Sequence, residues 1–351
     1  FEIPSTWKLN LGVERRQDLG FLGDNWLLSA DVIFNRVKNA AIYKELLMTQ
    51  TGTAPDGRPI YSEQFPAFDF ALTTTSKGEG QVWSVTAEKN FYTDHGNYNF
   101  YIGYTYQDIT EGNPGGSSTA RSNYRFGHFS DHQETQVGTS SYETKHRLVM
   151  SLGYDTEFYE GYETSFNLFF ERKSGSPYSH LVDLNNLQGG RFFDQDLIQP
   201  SGFGSTFGGN YLAYVPTAND PNVRYEGITE AEVLAHFDSL GLSGSAGKLV
   251  DRGAGNAPWT NSLDLFVSQE IPGFSEGHKG EIYFVVNNLL NLIDSSQGKV
   301  YRQDFGTREI IEMDIDQDTG QYIYGNIVED DLRFESKQST YRIKIGVKYT
   351  F

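Results

Sequence analysis

The sequence predicts an all-β chain, an antiparallel transmembrane β-barrel with long extracellular loops. Three observations carry that expectation. Large apolar residues alternate with polar or small ones along nine stretches of about ten residues each, the period and length of a membrane-spanning strand. The segments between them are alternately short and long. Aromatic content reaches 15% with 37 glycines, and no uninterrupted run of about 18 apolar residues offers a transmembrane helix.

Taken in order, residues 6–15 set Trp7, Leu9, Leu11 and Val13 against Lys8, Asn10, Gly12 and Glu14. Residues 26–35 set Leu28, Ala30, Val32 and Phe34 against Ser29, Asp31, Ile33 and Asn35. Trp83, Val85 and Ala87 oppose Ser84, Thr86 and Glu88, and Tyr98, Phe100, Ile102, Tyr104 and Tyr106 oppose Asn99, Gly103, Thr105 and Gln107. Leu148, Met150, Leu152 and Tyr154 oppose Arg147, Ser151, Gly153 and Asp155, then Thr164, Phe166, Leu168 and Phe170 oppose Glu163, Ser165, Asn167 and Glu171. Leu263, Leu265 and Val267 oppose Asp264, Ser268 and Glu270, and Ile282, Phe284 and Val286 oppose Glu281 and Asn287. The chain closes on "YRIKIGVKYTF", with Tyr341, Ile343, Ile345, Val347, Tyr349 and Phe351 on one face.

Short connections fall near 17–24, 91–96, 156–161 and 272–279, and long ones near 38–80, 108–142, 173–258 and 291–339. Outer-membrane barrels sort their connections this way, with short turns in the periplasm and long loops outside. A soluble all-β binding module also alternates along its strands but has no reason to sort its loops. The parity places Trp7, Trp83, Tyr106, Phe170, Trp259 and Tyr341 at an outer aromatic girdle. It places Trp26, Tyr98, Tyr154, Tyr162, Tyr349 and Phe351 at an inner one. Slipping the last strand by one residue would turn Arg342, Lys344 and Lys348 toward lipid, at roughly 2–4 kcal/mol for each cation near the midplane, so its register is firmly set. The opposite, lumen-facing set is expected to be polar and charged.

The net charge of −18 argues against binding nucleic acid through its phosphates. Cysteine is absent, which removes disulfides and thiol chemistry. The chain opens at Phe1 with neither Met nor a signal segment, and nine strands do not close a single-chain bacterial barrel. Further strands are therefore expected upstream, and the nine alone should leave an open, curled sheet or a strained closure.

The order of motifs resembles the C-terminal barrel of TonB-dependent outer-membrane receptors, particularly the Oar-like branch. The matching stretches are "YTYQDITEGNPGGSSTARSNYRF" (104–126), "KHRLVMSLGY" (145–154), "FFERKSGSPYS" (169–179), "APWTNSLDLFVSQEIPG" (257–273), "VVNNLLNLID" (285–294) and the terminal "VKYTF". The resemblance implies that residues 1–351 form about the last nine strands of a 22-stranded barrel whose N-terminal plug lies outside this chain. It implies energised uptake of a scarce nutrient, a siderophore, oligosaccharide or peptide, through partners that include the plug, the TonB complex, the lipid bilayer and lipopolysaccharide. Tyr349 and Phe351 would form the terminal signal read by the outer-membrane insertion machinery. A passive porin or structural barrel without TonB coupling is the alternative.

The loop 173–258 carries one helix signal: a capping box of Thr229 and Glu232, a staple of Ile228 and Val233, an apolar face of Val233, Leu234, Phe237 and Leu240, and a stop at Gly241. The same loop holds Tyr178, Phe192, Phe193, Phe203, Phe207, Tyr211 and Tyr214, which either pack the loop or contact a ligand. Asp314, Asp316 and Asp318 alternate as in a calcium loop, but Gly320 falls one place late and Gly325 stands where a bidentate Glu belongs. A hairpin tip at "DTG" is the expected structure. His128 and His132 sit four apart in a loop-like setting. No catalytic motif stands out, and neither a cofactor nor a metal is expected.

Overall fold

Long alternating strands joined by tight turns pair with their sequence neighbours, because a short turn holds the next strand at ladder distance. A computed structural model describes residues 2–47, 49–61, 69–112, 115–125, 127–131, 133–183, 211–316, 319–329 and 331–351. Its nine long strands are β1 (Ser5–Gln17), β2 (Trp26–Glu45), β3 (Gly78–Thr93), β4 (Gly96–Glu111), β5 (His146–Tyr159), β6 (Tyr162–Lys173), β7 (Thr260–Pro272), β8 (Lys279–Asn287) and β9 (Arg342–Thr350). Each is antiparallel to the next, in one meander. Two short strands extend the sheet to 11: Phe70–Thr75 on β2 and Gly138–Thr139 on β4. Among the described residues β1 and β9 each have one strand neighbour and do not pair with each other. Among the described residues no helix is long and apolar enough to cross a membrane, which leaves crossing by strands open.

The register brings the alternating apolar residues onto one face across all nine strands. One row runs Val13, Ala30, Val85, Tyr104, Leu148. The next runs Leu28, Ala87, Ile102, Met150, Phe170, Leu263. At the far end Val267, Phe284 and Ile345 stand side by side. Because side chains have period two, any one-residue slip would break this face and bring up the polar set.

Strands β2 to β4 are longer than the alternation suggested, at 20, 16 and 16 residues. Their ends run past the apolar rows on the long-connection side, where Ala40 to Glu45 pair with Phe70–Thr75. The four short connections join β1–β2, β3–β4, β5–β6 and β7–β8, and the long ones join the remaining pairs, so the expected sorting holds.

Two expectations need correction. Phe170 stands level with Met150 and Ile102 in the middle of the apolar face, four residues from the row of Trp83 and Tyr106, so it is no girdle residue. The opposite face is also not uniformly polar, since Tyr101, Phe169, Phe266 and Tyr283 share it with Asp264, Glu281 and Lys344. Glycine makes room for the rings. Tyr283 lies over Gly346, where an added Cβ would come 2.1 Å from the ring.

The largest departure lies in the long connections. Two of them, 174–259 and 288–341, supply a second, five-stranded mixed sheet. Its order is Val223–Tyr225, Tyr322–Ile327, Thr307–Ile315, Pro177–Asp183 and Gly255–Asn256. The first and second pair in parallel, as do the third and fourth. Helix α1 (Glu230–Ser239) packs on it. Val233, Phe237, Leu181, Tyr211, Ile311, Met313, Tyr322 and Tyr324 form a core with side chains almost wholly out of water. The apolar core among the described residues is thus in the connections, and the long sheet leaves much of its apolar face exposed.

Candidate functional site: the outward apolar face and the loop core

A sheet face that stays in water should carry polar residues, but here the apolar rows stay open. Leu11, Val85, Leu152, Ile345 and Val347 are 56, 53, 47, 74 and 72% exposed. Contiguous exposed apolar surface of this kind marks an interaction face, for a partner or for a membrane.

Two cations on this face are accommodated by neighbours, whereas Arg15, opposite Leu28, is exposed and makes no ion pair among the described residues. Lys89, opposite Phe100, is buried. It pairs with the Asp24 carboxylate at 3.0 Å, donates to the Asp24 carbonyl and sits 4.8 Å from the Phe91 ring centre. Asp24 belongs to the first short turn, which therefore neutralises a strand cation. Arg172 lies 5.1 Å from the ring of Trp259. Arg36 stands beyond the aromatic row, opposite Trp7 and Glu79.

Aromatic rings border the face on both edges. On the long-connection side Trp83 and Tyr106 are cross-strand neighbours, and His146, next to Tyr106, stacks on Trp259 at 5.7 Å. Trp7 is 70% exposed and Tyr341 is 41% exposed at the same edge. On the short-turn side Trp26 packs edge-on against Phe91 and Phe100, and its indole N–H donates to the Leu22 carbonyl. Tyr98 stacks on Tyr154 at 4.5 Å, and Tyr162 packs against Tyr159. The Tyr349 hydroxyl accepts from the Phe274 N–H at 3.0 Å and meets His278 Nδ1 at 2.9 Å. Phe351 is 92% exposed.

Sequence reasoning missed a further set on this edge. Each short turn has a large exposed aromatic within it or at the end of the strand that enters it: Phe21 and Phe274 in the turns, Tyr92 and Phe158 at the ends of β3 and β5. The signal was one or two aromatics beside turn glycines in "GFLG", "FYTDHG", "EFYEG" and "GFSEG".

Of the loop aromatics, Phe192, Phe193, Phe203 and Phe207 lie outside the described residues. Tyr211 and Tyr214 are buried in the loop core, and the Tyr214 hydroxyl donates to Asp220 at 2.9 Å. Tyr178 is buried against His180, with the Arg308 guanidinium 5.9 Å from its ring centre. These three rings pack the fold and offer little open surface.

Helix α1 follows its sequence signals. The Thr229 hydroxyl accepts from the Glu232 N–H, the Glu232 carboxylate accepts from the Thr229 N–H, and Gly241 follows with φ 73°. Val233 and Phe237 face the core, with Ile228 and Leu240 packed beside them.

Buried polar groups tie the loop core to its surroundings. Arg58, on the connection after β2, donates to the Leu212 carbonyl at 2.8 Å and to the Tyr322 hydroxyl at 3.0 Å, with Asp56 alongside at 2.8 Å. Arg252 donates to the carbonyls of Glu111 and Gln136, holding the loop core to the end of β4. His128 Nδ1 lies 2.7 Å from Ser179 Oγ, which also accepts from the Gly253 N–H at 2.8 Å. Burial pushes the His128 imidazole down to about 4, helped by the charge of Arg252. Burial does the same to His180, also to about 4, with Arg308 contributing.

The described members of the two metal-like patterns make other contacts. Asp314 accepts from the Ile315 N–H, while Asp316 accepts from the Thr319 N–H and pairs with Arg224 at 3.0 Å. Asp318 lies outside the described residues, as does His132. The antiparallel pairing of Ile315 with Tyr322 makes this segment a hairpin, as "DTG" suggested. No group of three or more metal-ligating side chains occurs among the described residues.

No family model and no curated protein matches the chain.

Proposed function

We propose that this chain is the barrel wall and external-loop portion of an outer-membrane receptor that takes up a scarce nutrient with energy from a TonB complex. The observation that carries the reading is the exposed, largely apolar face of nine neighbouring strands, edged by aromatic rows and turned by alternately short and long connections. In hydrocarbon such a face is solvated, and the ladder satisfies the backbone of each inner strand. The edges of β1 and β9 would be closed by further strands of a 22-stranded barrel. The short turns with Phe21, Tyr92, Phe158 and Phe274 would lie at the periplasmic interface, and the loop core would stand outside the cell. Tyr349 and Phe351 would be the terminal signal for the insertion machinery. The polar face, with Asp264, Glu281 and Lys344, would meet the lumen or the plug. The assignment to TonB coupling, against a passive porin, rests on the sequence resemblance and on the folded loop core, which a simple pore does not need.

The test has two arms. Unboiled protein from outer membranes should migrate faster on a denaturing gel than boiled protein, and extraction should require detergent. Release by buffer alone would refute the membrane reading. Uptake that depends on this protein should cease when TonB is deleted. Uptake that persists would identify a passive porin.

A further inference from the structure

No disulfide can staple this sheet, because the chain lacks cysteine. One tyrosine pair, however, is set for a different covalent bond. Tyr98 on β4 and Tyr154 on β5 are direct cross-strand neighbours. Their rings stack with centroids 4.5 Å apart and planes 24° from parallel. Three other tyrosine pairs stand farther apart and more tilted: Tyr159 and Tyr162 at 5.2 Å and 31°, Tyr214 and Tyr322 at 5.7 Å and 47°, and Tyr225 and Tyr324 at 6.4 Å and 70°. Tyr214, Tyr322 and Tyr324 are also buried, out of reach of a dissolved oxidant, whereas Tyr98 is 37% exposed.

The surroundings hold the two rings in place. Gly96 leaves the room that Tyr154 occupies, since an added Cβ there would come 2.7 Å from the ring. Phe166 on β6 stacks on Tyr154 at 6.3 Å and 19°. The Tyr154 hydroxyl donates to the His95 carbonyl at 2.8 Å, and the Tyr98 hydroxyl is hydrogen-bonded to Tyr154. Phe166 has no phenol, so between its two stacked neighbours an oxidised Tyr154 has a like partner only in Tyr98.

A phenoxyl radical carries its spin on the oxygen and on the ortho and para ring carbons, in p orbitals perpendicular to the ring. The para carbon of a tyrosine is already substituted, so coupling falls to the ortho carbons. Stacked rings aim those orbitals at each other, and the new bond starts face to face. We propose that Tyr98 and Tyr154 are a site of oxidative modification, at which a one-electron oxidant of the peroxidase and hydrogen peroxide class joins the two rings through their ortho carbons. Each phenol gives up one electron and its hydroxyl proton, and the two radicals form one carbon–carbon bond. The ortho hydrogens then leave as protons while the oxygens are reprotonated, which restores both phenols. The two electrons and two protons released reduce one hydrogen peroxide to two waters. The bond ties β4 to β5 and closes the chain from 98 to 154 around the second long connection, a long loop of the kind whose closure most restrains an unfolded chain. It needs only this ring geometry, whether the apolar face meets lipid or another partner.

The test oxidises the purified full chain in mild detergent with photogenerated tris(bipyridyl)ruthenium(III) and persulfate, a small one-electron oxidant, and maps the cross-linked peptides by mass spectrometry. A peptide pair joined through Tyr98 and Tyr154, two hydrogens lighter than its parts, should outnumber any joined through Tyr159 and Tyr162 by about tenfold. Boiled oxidised protein should run ahead of boiled unoxidised protein on a denaturing gel, because its internal loop stays closed. Tyr98→Phe and, separately, Tyr154→Phe keep the ring and lose the phenol, and neither should form the adduct or shift on the gel. Tyr162→Phe should leave both signals unchanged. Protein from cells grown in sublethal hydrogen peroxide should carry the same adduct. Three results would overturn the proposal: cross-links spread evenly over other tyrosines, a gel shift that persists in both phenylalanine variants, or absence of the adduct from peroxide-grown cells.

Discussion

Replacing Val85 by lysine separates a lipid-solvated face from a water-solvated one. Val85 lies on β3, between Ala30 and Tyr104, and is 53% exposed. In water, a lysine there would extend its ammonium into solvent and change stability by less than about 0.5 kcal/mol. In a bilayer the same lysine costs roughly 2–4 kcal/mol at the midplane and about 0–1 kcal/mol near the interfaces. Val85 is one row outward of the central row containing Ala87 and two residues inward of Trp83, so a cost of about 2 kcal/mol is expected, or roughly thirtyfold in the folding equilibrium. The adjacent Thr86 faces the other way, between Ser29 and Gly103, and Thr86→Lys should be nearly neutral. Both variants are compared by urea titration in phospholipid vesicles, followed by tryptophan fluorescence. Equal small effects at the two positions would refute the assignment of the apolar face to hydrocarbon.

Arg58→Ala removes one member of a buried pair and leaves Asp56 uncompensated, so the loop core should lose about 3–5 kcal/mol. Limited proteolysis should then cut within 211–329 while the long strands stay protected, and unchanged resistance would contradict the role given to Arg58. Thr229→Ala removes the capping box and should cost about 1 kcal/mol, read as faster amide exchange in the first turn of α1, with Thr229→Ser restoring it. Acid should loosen the loop core. Unfolded His128 and His180 take up a proton near pH 6.5, whereas in the folded core both stay neutral until about pH 4. The unfolded chain therefore binds more protons across that window, and stability falls as the pH drops from about 6.5 toward 4. Amide protection of Thr307–Ile315 should be lower at pH 4.5 than at pH 7.5, and equal protection would show that the two imidazoles titrate normally.

The long sheet was legible because its signal is local. Each strand states its own period, and a turn such as 94–95 or 160–161 leaves the chain one ladder to join, so the order of nine strands followed from spacing alone. Lys89 shows where such reading fails. The alternation puts it on the apolar face, and only the folded first turn reveals that Asp24 reaches back to neutralise it. The loop core was illegible for a different reason. Pro177–Asp183 pairs in parallel with Thr307–Ile315, and Val223–Tyr225 with Tyr322–Ile327, across separations no turn signal spans. The run "YLAYV" carried part of the trace, since short near-continuous apolar runs mark buried strands, whereas "REIIEMDI" intersperses four charged residues among its buried Ile310, Ile311, Met313 and Ile315. The helix between them could be read because a capping box is complete within four residues.

The two sheets are joined so that the loop core inherits the geometry of the long sheet. Strands β6 and β7 end their pairing at Lys173 and Thr260, and the same two chains pair again at Pro177 with Asn256 and Tyr178 with Gly255. Between these pairings the chains approach closely, and a Cβ on Gly175 would lie 2.0 Å from the Ala257 carbonyl oxygen. Arg252 then bonds the carbonyls of Glu111 and Gln136, fixing the core to β4 from the other side. Two separate attachments to one stiff sheet prevent the core from swinging about a single hinge. If a ligand rearranges this region, the elements free to move are therefore the connections that do not contribute to the core sheet, because moving the sheet itself would break Arg252 from β4 and expose Leu181, Ile311 and Tyr324 to water.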